Sequence, residues 1–298
     1  MRRSVKVIRI LTPFVGFAYG GVLALTLGSP TAPFWMIWAT IAVAATTAAG
    51  LICGYGLGRW YDLSQLCTIS VGQVFWWVTA LAAGGLVLMN IAVVLPSPMH
   101  VNATGGPGGG LGSGLVGMFA IVAAIPVAAV MLGMWRAVGS GAPLGPKDAP
   151  VGTRGDEVRQ LLALRRLLQG MLAAVGSLVA LVTFTAGTWW LLERSLHTEF
   201  GSRPRQFVLI FGAFGSTLVG LVYGPAWMAL QRRGHQLCDT MFPLHGLDDE
   251  AKIVGLVADR QTLEQTLGLN RGFLADLQGG IVILAPLLVG AVAAFLPH

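Results

Sequence analysis

Seven stretches of this chain are each long enough to cross a bilayer, and none of the seven contains an Asp, Glu, Lys or Arg. They run Ile10–Gly28, Trp35–Gly58, Val71–Pro96, Ser113–Trp135, Leu167–Leu192, Gln206–Leu230 and Gly279–Pro297, where one helical span needs ~20 apolar residues. A backbone inside hydrocarbon has no water to bond to, so only helices and closed barrels cross it. No stretch has the period-two alternation of a barrel strand. The pattern predicts an all-α, polytopic transmembrane helix bundle of about seven spans. It also removes the usual marker of function, since ionisable groups inside a membrane mark proton relays, ion pathways and substrate sites.

Composition points the same way. Hydrophobic residues make up 55% of the chain and charged residues 11%, about half the charged share of a soluble domain. The net charge of +6 fits the basic excess that orients membrane proteins, and calls for no nucleic acid. Arg2, Arg3, Lys6 and Arg9 before the first stretch resemble the start of a signal peptide. That stretch is long for a signal core and a second span follows closely, so it reads as a retained helix. Cys53 lies in a span, and Cys67 and Cys238 in inner loops; three cysteines at these positions are no disulfide framework.

With the N-terminus inside, the inner segments 1–9, 59–70, 136–166 and 231–278 hold 16 of the 19 Lys and Arg. Arg194, Arg203 and Arg205 are the three outside, so the asymmetry puts the N-terminus in the cytoplasm and the C-terminus outside. All nine tryptophans fall near a proposed boundary: Trp35, Trp38, Trp189 and Trp190 outside, Trp60, Trp76, Trp77, Trp135 and Trp227 inside. They read as interfacial anchors, an indole having an apolar body and one polar N–H.

The loop Pro96–Gly112 is glycine-rich and outside, with a glycosylation sequon at Asn102 and no phosphate-loop ending. Residues 137–155 form a Pro/Gly linker on the inner side, dividing a four-span half (1–136) from a three-span half (156–298). No internal repeat links the halves. Arg154-Gly-Asp156 resembles an integrin triplet but lies on the wrong side. Asp156 is positioned to cap a helix that enters the fifth span unbroken, and the sixth span runs on to about Phe242, ahead of Pro243. These two helices should form a long antiparallel hairpin projecting inward. Asp248 is expected to cap a short cytoplasmic helix from Asp249 to Leu267, ended by Gly268.

Close packing in lipid needs small residues where backbones meet. Gly16-x-x-x-Gly20, Gly50-x-x-x-Gly54 and Gly220-x-x-x-Gly224 supply that spacing on spans one, two and six. Pro126 and Pro286 lie mid-span and are candidate hinges. Asn90, Thr183, Thr185 and Thr188 are the main intramembrane polar groups, expected to bond between helices. Arg165 with Arg166 and Arg232 with Arg233 sit where the hairpin should leave the lipid, and are read as headgroup anchors.

No chemistry emerges. No His lies in a span, which excludes bis-His haem in the bilayer, and no intramembrane Lys is available for a retinal Schiff base. His-Glu-x-x-His and Gly-x-Ser-x-Gly are absent. His235 and Cys238, with His245 and Cys67 on the same side, have the right residue types for zinc, but scattered loop ligands are the commoner case. Glu250-Ala251-x-x-x-Gly255 resembles, over six residues, the coupling loop by which importer permeases engage their ATPase; the Ile-x-x-Pro-type ending of that loop is missing. The reading is therefore a cell-membrane protein, of bacterial cytoplasmic style, with no catalytic residue, cofactor or metal. It is a pore or permease-type subunit acting as a homo-oligomer or with a partner, in contact with membrane lipid. The alternative is an effector protein whose segment 231–278 binds a soluble partner; a third, weaker reading is a membrane enzyme whose catalytic residues would lie among the loop acids and histidines.

Overall fold

The computed structural model describes residues 2–27, 34–66, 72, 74, 76–80, 82–85, 111–140, 154–195, 206–243, 250–270, 272 and 275. Among them all regular structure is helical: α1 (Arg2–Leu27), α2 (Trp35–Leu66), α3 (Leu111–Gly139), α4 (Arg154–Ser195), α5 (Gln206–Met241) and α6 (Glu250–Leu267). α1 to α5 are each long and apolar enough to cross a membrane. Residues 76–80 and 82–85 of the third predicted span are helical, and the seventh lies outside the described residues. Every helix α1 to α5 overruns its charge-free stretch. Hydropathy marks where lipid ends, not where a helix ends.

The bundle leaves a long apolar face uncovered. On α1, Ile10, Phe14, Phe17 and Leu25 are 64, 66, 60 and 80% exposed. A soluble monomer rarely exposes a contiguous apolar face of this kind; it is a face suited to lipid.

Helices α1 and α2 meet through a reciprocal clasp. A Cβ added at Gly16 would overlap the Thr46 carbonyl, and one at Gly50 would overlap the Thr12 carbonyl. Gly20 then meets the Thr46 hydroxyl and Gly54 the Thr12 hydroxyl. Both helices carry the same series, threonine followed by glycine four and eight residues later: Thr12, Gly16, Gly20 and Thr46, Gly50, Gly54. The pairing is antiparallel and two-fold in character. The glycine pairs are legible in the sequence as a small-residue spacing; the threonine that completes each series takes its meaning only from the opposing helix. Next, Gly56 of α2 lies on α3 where Pro126 breaks the hydrogen-bond ladder, its absent Cβ 2.8 Å from the Val127 nitrogen.

The remaining helices pack around two apolar clusters. One joins α2 to α6 through Leu63, Val127, Met134, Leu168, Tyr223 and Leu267. The other, near the opposite end, joins α1 to α4 through Leu23, Val116, Trp38 and Trp189. Here the anchor reading of the tryptophans needs correction. Trp38 and Trp189 are 0 and 1% exposed and meet edge-on with ring centroids 4.6 Å apart. Trp76 and Trp77, at 72 and 50% exposed, do face outward.

The intramembrane threonines also depart from expectation. Thr183 and Thr185 donate to their own helix, at Val179 O and Leu181 O, both at 2.8 Å. Thr188 does the same at Phe184 O and Thr185 O. A hydroxyl in a helix always has the carbonyl one turn back within reach, whereas a partner on another helix must be met by chance of register. Asn90 lies outside the described residues. A cross-helix bond is made instead by Tyr19, whose hydroxyl donates to Leu115 O at 3.2 Å.

Gly16→Leu or Gly50→Leu should destabilise the protein by about 1–3 kcal/mol, the usual range for overpacking, because the obstacle is backbone that cannot step aside. Gly21→Leu, on the same helix with nothing within 4 Å among the described residues, should leave the melting temperature in detergent unchanged. Equal melting of all three variants would refute the clasp.

Candidate functional site: a helical head on the two longest helices

Helix α4 has 42 residues and α5 has 36, or about 63 and 54 Å at 1.5 Å per residue. Hydrocarbon accounts for ~30 Å of each. The two are unbroken and antiparallel, since Glu157 near the start of α4 pairs with Arg233 near the end of α5 and Gly187 meets Val208 at the other end. The charged ends, with α6 laid across them, form a head.

Each pair of helices in the head is joined by a guanidinium. Between α4 and α5, Arg233 Nη2 lies 2.6 Å from Glu157 Oε1 and its Nε donates to the same oxygen at 2.9 Å. Between α5 and α6, Arg260 Nη2 lies 2.8 Å from Asp239 Oδ1, while its Nε donates to Glu264 Oε1 at 2.9 Å. The Glu264 hydrogen bond, with Asp239, pushes the Arg260 pKa above its already high usual value despite some burial. Between α4 and α6, Arg165 donates from Nη1 to the Leu267 carbonyl, a cation at the negative end of a helix dipole.

The turn that ends α6 is built for this contact. Gly268 has φ 67°; its N–H donates to Gln265 O and that of Leu269 to Glu264 O, the paired bonds of a Schellman ending. A Cβ on Gly268 would strike the Arg165 guanidinium at 2.7 Å, and one on Gly234 of α5 would strike the Leu269 side chain at 2.6 Å. Two glycines therefore let the turn sit against α4 and α5. The predicted helix from Asp249 to Leu267 is found as Glu250–Leu267, and its expected cap Asp248 lies outside the described residues. Asp156 is not a cap: α4 begins at Arg154, so Asp156 falls in its first turn and pairs with Arg159 at 3.6 Å.

The four arginines read as headgroup anchors thus separate. Arg165 and Arg233 bind protein groups, and Arg166 and Arg232 are exposed. Successive residues on a helix point about 100° apart, so of two adjacent arginines one turns into the head and one away from it. Of the packing glycines, Gly16, Gly20, Gly50 and Gly54 are brought together; Gly220 and Gly224 meet nothing within 4 Å among the described residues. Pro126 lies inside unbroken α3, and Pro286 outside the described residues. Pro13 and Pro225 also lie inside helices, α1 and α5, near the ends of their charge-free stretches. His235 is exposed while Cys238 is fully buried, so they do not face one ion, and no metal-binding cluster occurs among the described residues.

Two further features lie within the spans. An apolar cavity of about 150 Å³ lies between α3, α4, α5 and the helical residues Val78 and Ala82, with Thr183 the one polar side chain among its described lining residues. Glu193 is 3% exposed near the end of α4; it falls one residue past the fifth charge-free stretch, so a criterion of charge-free runs leaves it outside the span. Compared with known protein families, curated proteins and solved structures, the chain matches none.

A double-mutant cycle on Glu157→Gln and Arg233→Gln should give a coupling of about 1 kcal/mol that shrinks as salt is raised. A zero coupling at low salt would show that the two long helices are not joined there. Gly268→Ala should also loosen α6, read as faster amide exchange in residues 260–267.

Proposed function

We propose that the protein is a permease-type subunit that works with a soluble partner bound to the head. The observation that carries this reading is the head itself. Two unbroken helices lead from it through the spanning region, and charged contacts tie all three of its helices together. Such a unit moves as one piece, so force or binding at α6 reaches the helices that line the apolar cavity. The first half of α6 offers a contact surface: Val254 and Val257 are 66 and 43% exposed, and Gly255 meets nothing within 4 Å among the described residues. Glu250, Ala251 and Gly255, which resemble the coupling loop of importer permeases, lie on this same stretch. The self-contained pore has less support, because the cavity between the described helices is apolar and Thr183 spends its hydroxyl on its own helix.

In this reading the chain crosses a bacterial-type cytoplasmic membrane seven times, with the N-terminus and the head inside and the C-terminus outside. The distribution of Lys and Arg supports the orientation, and the apolar stretches Val71–Pro96 and Gly279–Pro297 support the count. Homo-oligomers are compatible with it, and the four-span and three-span halves meet within one bundle.

Purified protein alone in liposomes should pass no ions or small solutes. In cells, a photoreactive side chain at Val254 or Val257 should give one discrete adduct, lost in Arg260→Ala, while the same probe at exposed Arg166 gives none. Robust flux from the protein alone would replace this reading with a self-contained pore. Orientation is tested separately: cysteines replacing Gly110 and Pro297 should react with an impermeant reagent applied outside, and one replacing Ala149 should not.

A further inference from the structure

We propose that the apolar cavity between α3, α4 and α5 holds one acyl chain of a membrane lipid. The proposal rests on the reading that these helices cross a membrane, and it is independent of any partner at the head. Depth is the first observation. On α3 the lining runs from Gly117 to Met131, on α4 from Val175 to Thr183 and on α5 from Phe214 to Val222. Each range is centred in its charge-free stretch, Ser113–Trp135, Leu167–Leu192 and Gln206–Leu230. The cavity therefore lies at the level of the hydrocarbon core, where acyl chains are the solvent.

Shape is the second. From Gly117 to Met131 is 14 residues (131 − 117), or about 21 Å of α3; the eight-residue ranges of α4 and α5 give about 12 Å each. A volume of about 150 Å³ drawn out over that length is a slot along the helices. A second helix, about 10 Å across with its side chains, has no room in it, whereas an extended hydrocarbon chain does. The slot exists because α3 turns small residues inward, Gly117, Ala120, Ala124 and Ala128, opposite Val, Leu and Phe side chains of α4 and α5. Its walls are fixed by two close approaches. A Cβ on Gly215 of α5 would stand 2.7 Å from the Val179 side chain of α4, and one on Gly85 would stand 3.5 Å from Leu218. The slot is half enclosed, so a chain reaches it from the side.

Chemistry is the third. Thr183 is the one polar side chain among the described lining residues, and its hydroxyl already donates to Val179 O. A buried water needs about two to four polar partners, so the slot does not suit water. A charged or hydrogen-bonding ligand would lose its hydration there and gain no partner in return. Apolar cavities of about 150 Å³ stay dry and take up small apolar molecules. At this depth the apolar molecule at hand is the lipid tail, whose headgroup stays at the membrane surface. A chain lodged between α4 and α5 touches both long helices along their shared middle.

The test is photolabelling of the full-length protein in phosphatidylglycerol and phosphatidylethanolamine liposomes. These are doped with a phospholipid carrying a diazirine midway along one chain, and adducts are mapped by mass spectrometry. Label should appear in the slot, around Ala124 and Leu218, as well as on the outward-facing Val22 and Leu25 of α1, which are 57 and 80% exposed. Ala124→Phe puts a ring into the slot and should abolish the adducts there while leaving those on Val22 and Leu25 unchanged. Ala120→Leu repeats the experiment should Ala124→Phe fail to fold. Label confined to outward-facing residues would overturn the proposal, and so would slot adducts that persist in the filled variants. Slot labelling by a diazirine fatty acid but not by the phospholipid would assign the site to free fatty acid and overturn it as well. Recovery of the protein in the soluble fraction without detergent would overturn the membrane reading itself, and is seen before any lipid is added.

Discussion

Helices in lipid gain little from hiding apolar side chains, because the hydrocarbon around them is as apolar as they are. What draws them together is close contact, and close contact requires that something be missing from the surface. The α1–α2 clasp meets that requirement twice. Each threonine carbonyl occupies the space where the opposing glycine would carry a Cβ, and each threonine hydroxyl rests against the second glycine. Because the same three-residue series faces itself in antiparallel fashion, one arrangement satisfies both helices at once. α1 depends on it, since its other large apolar residues, from Ile10 and Phe14 to Leu25, are exposed among the described residues.

The same constraint explains why polar groups contribute so little to the association of these helices. Thr183, Thr185 and Thr188 satisfy themselves within α4, which removes their desolvation cost and leaves the helix surface effectively apolar. Packing then falls to shape: Gly56 against the Pro126 turn of α3, and Gly112 beneath the Trp189 ring, where a Cβ would stand 2.6 Å away. A proline frees a carbonyl and thins the helix locally, and a glycine opposite can move into that space.

Much of this architecture is legible in the residue order, and the limit is set by range. Helical character follows from charge-free runs, the long hairpin from the absence of proline through Leu161–Leu168 and Gln231–Phe242, and the α6 ending from Gly268. Partners far apart in sequence are not legible. Glu157 and Arg233 are 76 residues apart, and Arg165 reads as a lipid anchor until the Leu267 carbonyl is seen beside it. Burial of Trp38 and Trp189 is hidden for the same reason, since a tryptophan at a membrane boundary satisfies the sequence rule whether it faces lipid or another helix. The threonines of the clasp were within reach, lying four residues before each glycine pair.

The division of the twin arginines bears on how the head relates to the membrane. If all four guanidinium groups met phosphate, the hairpin would be held only at the lipid surface and the head would be free to sway. With Arg233 on Glu157 and Arg165 on the end of α6, two of them fasten the head's own helices. Arg166 and Arg232, exposed on α4 and α5, keep the reach to touch headgroups along their apolar stems. Internal fastening and outward reach thus come from neighbouring residues on the same helical turn. Both helices lead from the head to the walls of the apolar cavity, which is the path along which the proposed partner at α6 would act.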